Sequence, residues 1–527
     1  MAGKTEIKVR GDVGSSLRLL VKSSFIMLVG IFLSKILSYL YRIMVARQFG
    51  PEEYGLLSLS VVIIGFFVAF SSIGVGDGIG RFVPIFRAKN KKEEIKYLFK
   101  YTFSVVSILS ILLGVLLFIF AETIAVKIFN NGLLINYLRF FSILVPVSAL
   151  VNNLLETLRA YEKINSFSFI FNILQNVVKI VALGLFMYFA IFSNSNKVIF
   201  SYSLAILSML IAGYYAVRKN IPELLNSFKL NEVKKKNIRK EVLDYSIPLL
   251  FSGIITSLFY WVDSLSLGYL RDVTSVGFYN AAVPIAMLLL LIPEIFMQLF
   301  KPLINKEYGR NNKILIREIS KQVTKWIFII ALPVFMLLFV FPGAAINILF
   351  GESYLVAENA LRLLSLGALI TAISVVPGHL LLMKGKSNLT FVNILLATIL
   401  NVVLNFVFIP LQSIVGMDNA SGLNGAALAT FVSAAFLAII QFWQAKRYTG
   451  IIPLRRKMLA IFLVSLVSLY LLVYVKDLLT LTIFNVAILC VGFLILYFGL
   501  VLLTRGFDGN DYMIIKSIKN KVIGVKR

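Results

Sequence analysis

The chain has 527 residues, of which 59% are hydrophobic and 15% charged, with a mean hydropathy of +0.89. A water-soluble domain carries about 25% charged residues, so a solvent-facing globular fold is excluded; one Cys and one His, His379, likewise exclude a disulfide framework and a Cys- or His-ligated metal site. The 52 Lys and Arg exceed the 25 Asp and Glu by 27, a surplus that fits either nucleic acid or a membrane surface until its distribution is known.

Apolar runs of about 18 to 25 residues, each enough to cross a hydrocarbon core roughly 30 Å thick, follow one another along the chain. Fourteen are expected, near 24–46, 55–76, 98–121, 134–158, 166–192, 198–217, 243–268, 276–300, 326–350, 359–383, 388–410, 421–445, 458–475 and 480–504. Strands of a membrane barrel would be short and alternating, whereas these runs are long and continuous. The first run is too long for a signal peptide and lacks a small-residue cleavage site, so it reads as a retained span. The expected fold is an all-α polytopic membrane protein with about 14 transmembrane helices.

Charge gives the sidedness. The arm at 1–23, the segments 77–97, 159–165, 218–242, 301–325, 384–387 and 446–457, and the tail at 505–527 hold 42 of the 52 basic residues once helix ends are included. The alternate loops are nearly bare of them. The positive-inside rule places both termini in the cytoplasm, with Lys89–Lys92 and Lys234–Lys240 also suited to anionic headgroups. Topology therefore accounts for most of the net charge, and nucleic acid is not an expected partner.

Several ionisable residues fall inside spans, where each costs about 2.5 to 3.5 kcal/mol on insertion scales and usually faces a cavity or a partner. Span 1 carries Lys35 and, seven residues on, Arg42. Arg139 lies near the outer end of span 4 and Arg362 near that of span 10. Span 5 has Asn172, Gln175, Asn176 and Lys179 at i, i+3, i+4, i+7, one polar stripe of a helix. Asp263 lies in span 7, Glu294 follows Pro293 in span 8, and span 11 carries Asn393, Asn401 and Asn405. Five cations against two anions leave this set at +3, which suits a phosphate-bearing substrate in a low-dielectric cavity. Arg139 and Arg362 serve equally well as headgroup anchors, and the Asn residues as interhelical hydrogen bonds. Asp263 either gates by pairing with Arg42 or titrates to couple an ion; Glu294 marks a hinge or a structural partner.

The chain also matches itself at a separation of 218 to 223 residues. Gly55-Leu-Leu-Ser pairs with Gly277-Phe-Tyr-Asn, Leu138-Arg139-Phe-Phe-Ser142 with Leu361-Arg362-Leu-Leu-Ser365, and Lys163-Ile-Asn165 with Lys386-Ser-Asn388. Each copy holds six spans, so the repeats run parallel, related by an axis along the membrane normal, with substrate expected between the lobes. The chain thus divides into an arm at 1–23, an N-lobe at 24–217, a basic connector at 218–242, a C-lobe at 243–445, two added spans at 446–504 and a tail at 505–527.

Two six-helix lobes with two added helices resemble the polysaccharide and lipid-linked-oligosaccharide flippases of the multidrug/oligosaccharidyl-lipid/polysaccharide (MOP) exporter superfamily. The stretch Ala46-Arg-Gln-Phe-Gly-Pro-Glu-Glu-Tyr-Gly-Leu-Leu57 and its echo from Gly268 to Ala281 carry that likeness. The resemblance implies alternating access without ATP hydrolysis by the chain itself. Its partners would be lipid-linked oligosaccharide, membrane lipids and glycan-assembly enzymes; no cofactor and no enzymatic activity are expected. Lys35, Arg42 and Lys179 would attract phosphate, with Arg139 and Arg362 as an outer relay. A cation-coupled drug or metabolite exporter of the same superfamily is the alternative, and would depend on Asp263 or Glu294. The glycine run Gly74-Val-Gly-Asp-Gly-Ile-Gly80 comes after a transmembrane helix rather than a β-strand, so it reads as a flexible helix end and not as a nucleotide loop.

Overall fold

The structure, a computed structural model, describes residues 2–190, 192–478 and 483–504, with side chains of the first helix from Gly30 on. The tail at 505–527 lies outside the described residues, and so do the side chains of the N-terminal arm. In chain order the helices are α1 (Ala2–Ser72), α2 (Val75–Ala88), α3 (Lys92–Glu122), α4 (Leu134–Ala160), α5 (Ile164–Ser168), α6 (Gln175–Phe189), α7 (Asn194–Asn220) and α8 (Glu232–Leu270). They continue as α9 (Val273–Gly309), α10 (Lys313–Val340), α11 (Pro342–Leu349), α12 (Glu358–Met383), α13 (Ser387–Phe408), α14 (Leu423–Thr449), α15 (Arg456–Leu478) and α16 (Ile483–Leu503). Strand pairing among the described residues is one two-residue hairpin, Ser413–Ile414 against Met417–Asp418.

Thirteen helical stretches among the described residues are long and apolar enough to cross a membrane. The first, Gly30–Ser72, has 43 residues, about 64 Å of helix, which is two crossings rather than one. It joins the first two expected spans. The loop expected between them is helical, and the turn is concentrated at Gly50, whose φ of 85° and ψ of 180° break the helix in one step. Glycine tolerates that left-handed φ, and Pro51 then begins the next helical segment, where its missing N–H costs nothing.

Two other boundaries differ from expectation. The glycine run is not a flexible end: after Ile73 (φ 45°) and Gly74 (φ 65°) the chain enters α2, with Val75, Gly78 and Ile79 buried. A Cβ on Gly74 would stand 2.3 Å from the Ser246 carbonyl oxygen, so close backbone approach explains that glycine. The span expected to run to 350 ends at Val340, because Phe341-Pro342 starts the separate helix α11.

The chain divides into two compact units. One holds the residues up to Ala281 with Thr398–Ala426, the other Ala282–Ala397 with the described residues from Ala427 on. In the first unit the tightest helix contact joins positions that the internal repeat pairs. A Cβ on Gly55 would lie 1.9 Å from the Val273 carbonyl oxygen, and one on Gly277 would lie 1.9 Å from that of Pro51. Pro51 and Val273, like Gly55 and Gly277, are 222 positions apart, so the contact is self-complementary in the way of a two-fold interface. Without a hydrophobic drive between helices in lipid, such small-residue crossings let backbones pack directly. At the basic end of this unit, Phe82, Phe86, Tyr97, Leu98, Leu154, Leu158 and Val217 form a buried apolar cluster.

In the second unit α15 and α16 pack on α10. Buried Tyr497 donates to the Ile329 carbonyl at 3.0 Å, among Leu332, Met336, Ile461 and Phe493. Arg455 pairs with Glu318 at 2.9 Å, and His379 sits edge-on to Phe300 with ring centroids 6.0 Å apart.

Candidate functional site

Both polar clusters that matter lie in the first unit. The first is built on span 5, where α5 and α6 are joined through a π-helical stretch, Phe169–Leu174. A π segment adds a residue to the turn and rotates the side chains beyond it, and such segments occur often at functional sites. The stripe expected from α-helical spacing is therefore modified: Asn172, Asn176 and Lys179 are buried, whereas Gln175 is only partly so. Asn172 donates to Ser168 Oγ at 3.0 Å. Asn176 donates to the Asn172 carbonyl at 3.0 Å and to Ser34 Oγ on α1 at 3.2 Å. Gly30 is what lets α1 approach, since a Cβ there would lie 2.4 Å from Ser168 Oγ.

One turn further, Lys179 is 7% exposed. Its Nζ lies 5.5 Å from the ring centre of Tyr41 on α1 and 5.3 Å from that of Tyr202 on α7. Each face offers about 2 kcal/mol to a desolvated ammonium, far less than removal of a cation from water costs. Among the described residues its neighbours are aromatic faces and the like charge of Arg42, not a carboxylate. The tyrosines are themselves fixed: the Tyr41 hydroxyl is 3.2 Å from Ser201 Oγ, and Tyr202 stacks on Phe141 at 5.2 Å. Arg42 is partly exposed and hydrogen-bonded to the Tyr54 hydroxyl. Two cations are thus held close together in a mostly apolar setting, an arrangement that lowers its electrostatic energy when an anion enters.

The second cluster centres on buried Asp263 of α8. Tyr279 of α9 donates to its Oδ2 at 2.7 Å and Asn405 of α13 to its Oδ1 at 2.8 Å, while Asn405 also donates to Asn401 Oδ1 at 3.1 Å. Beside it, Asn280 donates to Ser264 Oγ at 2.9 Å and takes a 2.9 Å hydrogen bond from Tyr54 on its carbonyl. Tyr54 thereby touches both clusters.

The remaining expected site residues are placed elsewhere. Lys35 is exposed on α1, flanked by exposed Phe32 and Ile36, and is not drawn into the Lys179 cluster. Arg139 is exposed, pairs with Glu122 at 3.5 Å and lies 5.9 Å from the Phe118 ring. In the second unit Arg362 donates to the Phe339 carbonyl at 3.1 Å, bonds Asn359, and approaches Glu358 to 3.8 Å. Both arginines thus have local partners at helix ends. Asn393 exchanges two hydrogen bonds with Gln444, at 2.7 and 2.9 Å, which clasp α13 to α14. Glu294 is exposed on α9 after buried Pro293. Sequence reasoning passed over Tyr202, Tyr54, Ser34 and Tyr279. Aromatic and hydroxyl residues carry no charge signal in an apolar run, and only their three-dimensional contacts single them out.

The sequence matches the family described as Polysaccharide biosynthesis protein over residues 20–305, and the MatE family over residues 248–407. Among curated proteins it is 23% identical to the uncharacterized membrane protein MJ1068 of Methanocaldococcus jannaschii, across 94% of this chain and 97% of that protein. A putative O-antigen transporter of Shigella flexneri is 25% identical, across 66% of this chain and 80% of its own length. The solved structure of the lipid II flippase MurJ in an inward closed conformation superposes with a TM-score of 0.69 at 14% identity, covering 91% of this chain and 99% of that one. With its many apolar helices and this fold, the chain is a multi-pass membrane protein that belongs to the Polysaccharide biosynthesis protein family, within the MOP exporter superfamily.

Proposed function

We propose that this chain is a flippase that carries a polyprenyl-(di)phosphate-linked oligosaccharide from the inner to the outer leaflet by alternating access, for cell-surface glycan synthesis. The observation that carries the reading is the buried Lys179, held by two tyrosine faces beside Arg42 instead of by a carboxylate. A site of that sign favours phosphate oxygens, which the guanidinium of Arg42 can grip with two parallel bonds. Asn172, Gln175 and Asn176 line the same helix as partners for sugar hydroxyls. Lys35, exposed on α1, provides first contact, and Arg139 and Arg362 act near the outer ends of their spans. The lobes at 24–217 and 243–445 rock about the repeat axis while both termini stay in the cytoplasm, and the lipid tail remains in the bilayer. Glycan-assembly enzymes would supply and consume the substrate.

The test is the sidedness of lipid-linked oligosaccharide in cells depleted of the protein, read with a membrane-impermeant probe. Accumulation of precursor on the cytoplasmic face is expected. Unchanged sidedness after related transporters are also deleted sinks the reading. A second reading, a cation-coupled exporter, draws on buried Asp263 with its two donors; it requires that Asp263→Asn abolish transport while Lys179→Met leaves it intact.

A further inference from the structure

A cavity of about 260 Å³ opens at the basic end of the first unit, lined by Arg87, Lys91, Lys92, Lys96, Tyr161 and Glu223 among others. Its shape comes from one tight turn. Asn90 adopts a left-handed conformation (φ 54°), and the Lys91 N–H closes on the Phe86 carbonyl at 2.9 Å, so the end of α2 and the start of α3 present their cations to one space. The floor is rigid, because Ile95, Tyr97, Leu158, Ile221 and Leu224 belong to the buried apolar cluster beneath.

The balance of charge in the cavity favours an anion. Of the four cations that line it, Lys96 is paired with Glu93 at 2.8 Å and Lys92 with Glu223 at 3.6 Å, the latter well exposed on both sides, so Arg87 and Lys91 carry the surplus positive charge. Arg87 lies 4.9 Å from the Tyr161 ring. Arg87, Tyr161 and Glu223 line the same space, and the Tyr161 hydroxyl is pushed up to about 12 by burial and then by the charge of Glu223, against the opposing pull of Arg87. Depth fits as well. Lys92 precedes the apolar run beginning at Leu98 by six residues, about 9 Å of helix, a height that coincides with the headgroup layer.

The cavity also reaches the connector. The Lys229 N–H donates to Glu93 at 2.7 Å, Phe228 sits edge-on to Tyr97 at 5.3 Å, and Lys100 and Lys235 both lie 5.5 Å from the Phe228 ring. An anion seated between Arg87 and Lys91 would draw these cations together beside the Glu223–Lys92 pair, and so tighten the connector at its docking point. We propose that this cavity binds a phosphate group, either in an anionic lipid headgroup or as a free phosphate, and that its occupation fixes the connector against α3.

The full chain in detergent micelles is titrated separately with short-chain phosphatidylglycerol, inorganic pyrophosphate and short-chain phosphatidylcholine, while hydrogen–deuterium exchange is monitored in residues 87–96 and 221–230. Protection by phosphatidylglycerol alone assigns the lipid source; protection by pyrophosphate assigns the phosphate group itself. Arg87→Gln with Lys91→Gln should raise the half-saturating concentration roughly tenfold or more, whereas Lys313→Gln with Arg317→Gln, at exposed positions of α10, should not. Lys91→Gln alone, a change at an exposed side chain, repeats the test if the double variant is unstable. No protection by either anion, equal protection by phosphatidylcholine, or an unchanged midpoint in the Lys91 variants overturns the proposal. The readout is binding, so it stands or falls separately from the flippase reading.

Discussion

The clusters around Lys179 and Asp263 occupy related places in the two sequence repeats, yet they treat charge in opposite ways. At the repeat offset of 222 that pairs Gly55 with Gly277, Tyr41, whose ring faces Lys179, corresponds to Asp263. In the first copy an ammonium sits between aromatic rings, with Arg42 as a like charge nearby. In the second a carboxylate receives hydrogen bonds from Tyr279 and Asn405. Ring faces attract a cation weakly and without saturating it, whereas short hydrogen bonds satisfy a carboxylate directly. The same scaffold therefore leaves one charge against ring faces and a like charge and builds the other into the packing.

The comparison can be broken from the Asp263 side first, where the largest stability change is expected. Asp263→Ala leaves the Tyr279 hydroxyl and the Asn405 amide without their acceptor, and should cost about 3 kcal/mol of stability, read as a fall in the thermal midpoint of the purified protein. Asp263→Asn keeps an acceptor and should cost about half as much. If both variants unfold at the wild-type temperature, the carboxylate is not a packing element.

Lys179→Met tests the other pole. It removes a desolvated charge and fills the same volume, so stability should hold or rise, while flipping of lipid-linked oligosaccharide falls by roughly tenfold to a hundredfold through loss of about 1.5 to 3 kcal/mol of charged hydrogen bonding. A destabilised Lys179→Met protein with intact flux would reverse the contrast. Tyr202→Leu sharpens it further, since losing one ring face should weaken flux through about 1 to 2 kcal/mol, whereas Tyr202→Phe should leave it near wild type. Smallest of all, Asn393→Leu together with Gln444→Leu removes a reciprocal amide pair outside both clusters; a change of about 0.6 kcal/mol in stability and none in flux is expected.

Legibility in the sequence depended on the kind of residue. Arg42 and Lys179 stand out because a charge inside an apolar run is costly wherever it points, and the fold brings the two within mutual electrostatic reach. Lys35 stands out equally, yet the structure leaves it on an exposed face with Phe32 and Ile36. Spacing along one helix fixes a face but not what that face meets. Asn393 and Asn405 read alike as span 11 amides; one clasps Gln444 and the other holds Asp263. The π segment at Phe169–Leu174 is invisible in sequence because no residue in it departs from ordinary helix composition.

By itself the sequence determined the membrane solvent, the helical class and the near-even spacing of spans, since each rests on hydropathy and length summed over many residues. The tertiary structure alone decided that the first two spans meet at a sharp break at Gly50 with no loop between them, that repeat-related Gly55 and Gly277 sit at a single crossing, and that tyrosines enclose Lys179. Those outcomes turn on a single backbone angle, a missing Cβ or a one-residue change in helical pitch. Such local features carry almost no weight in a hydropathy average, yet they fix which side chains meet.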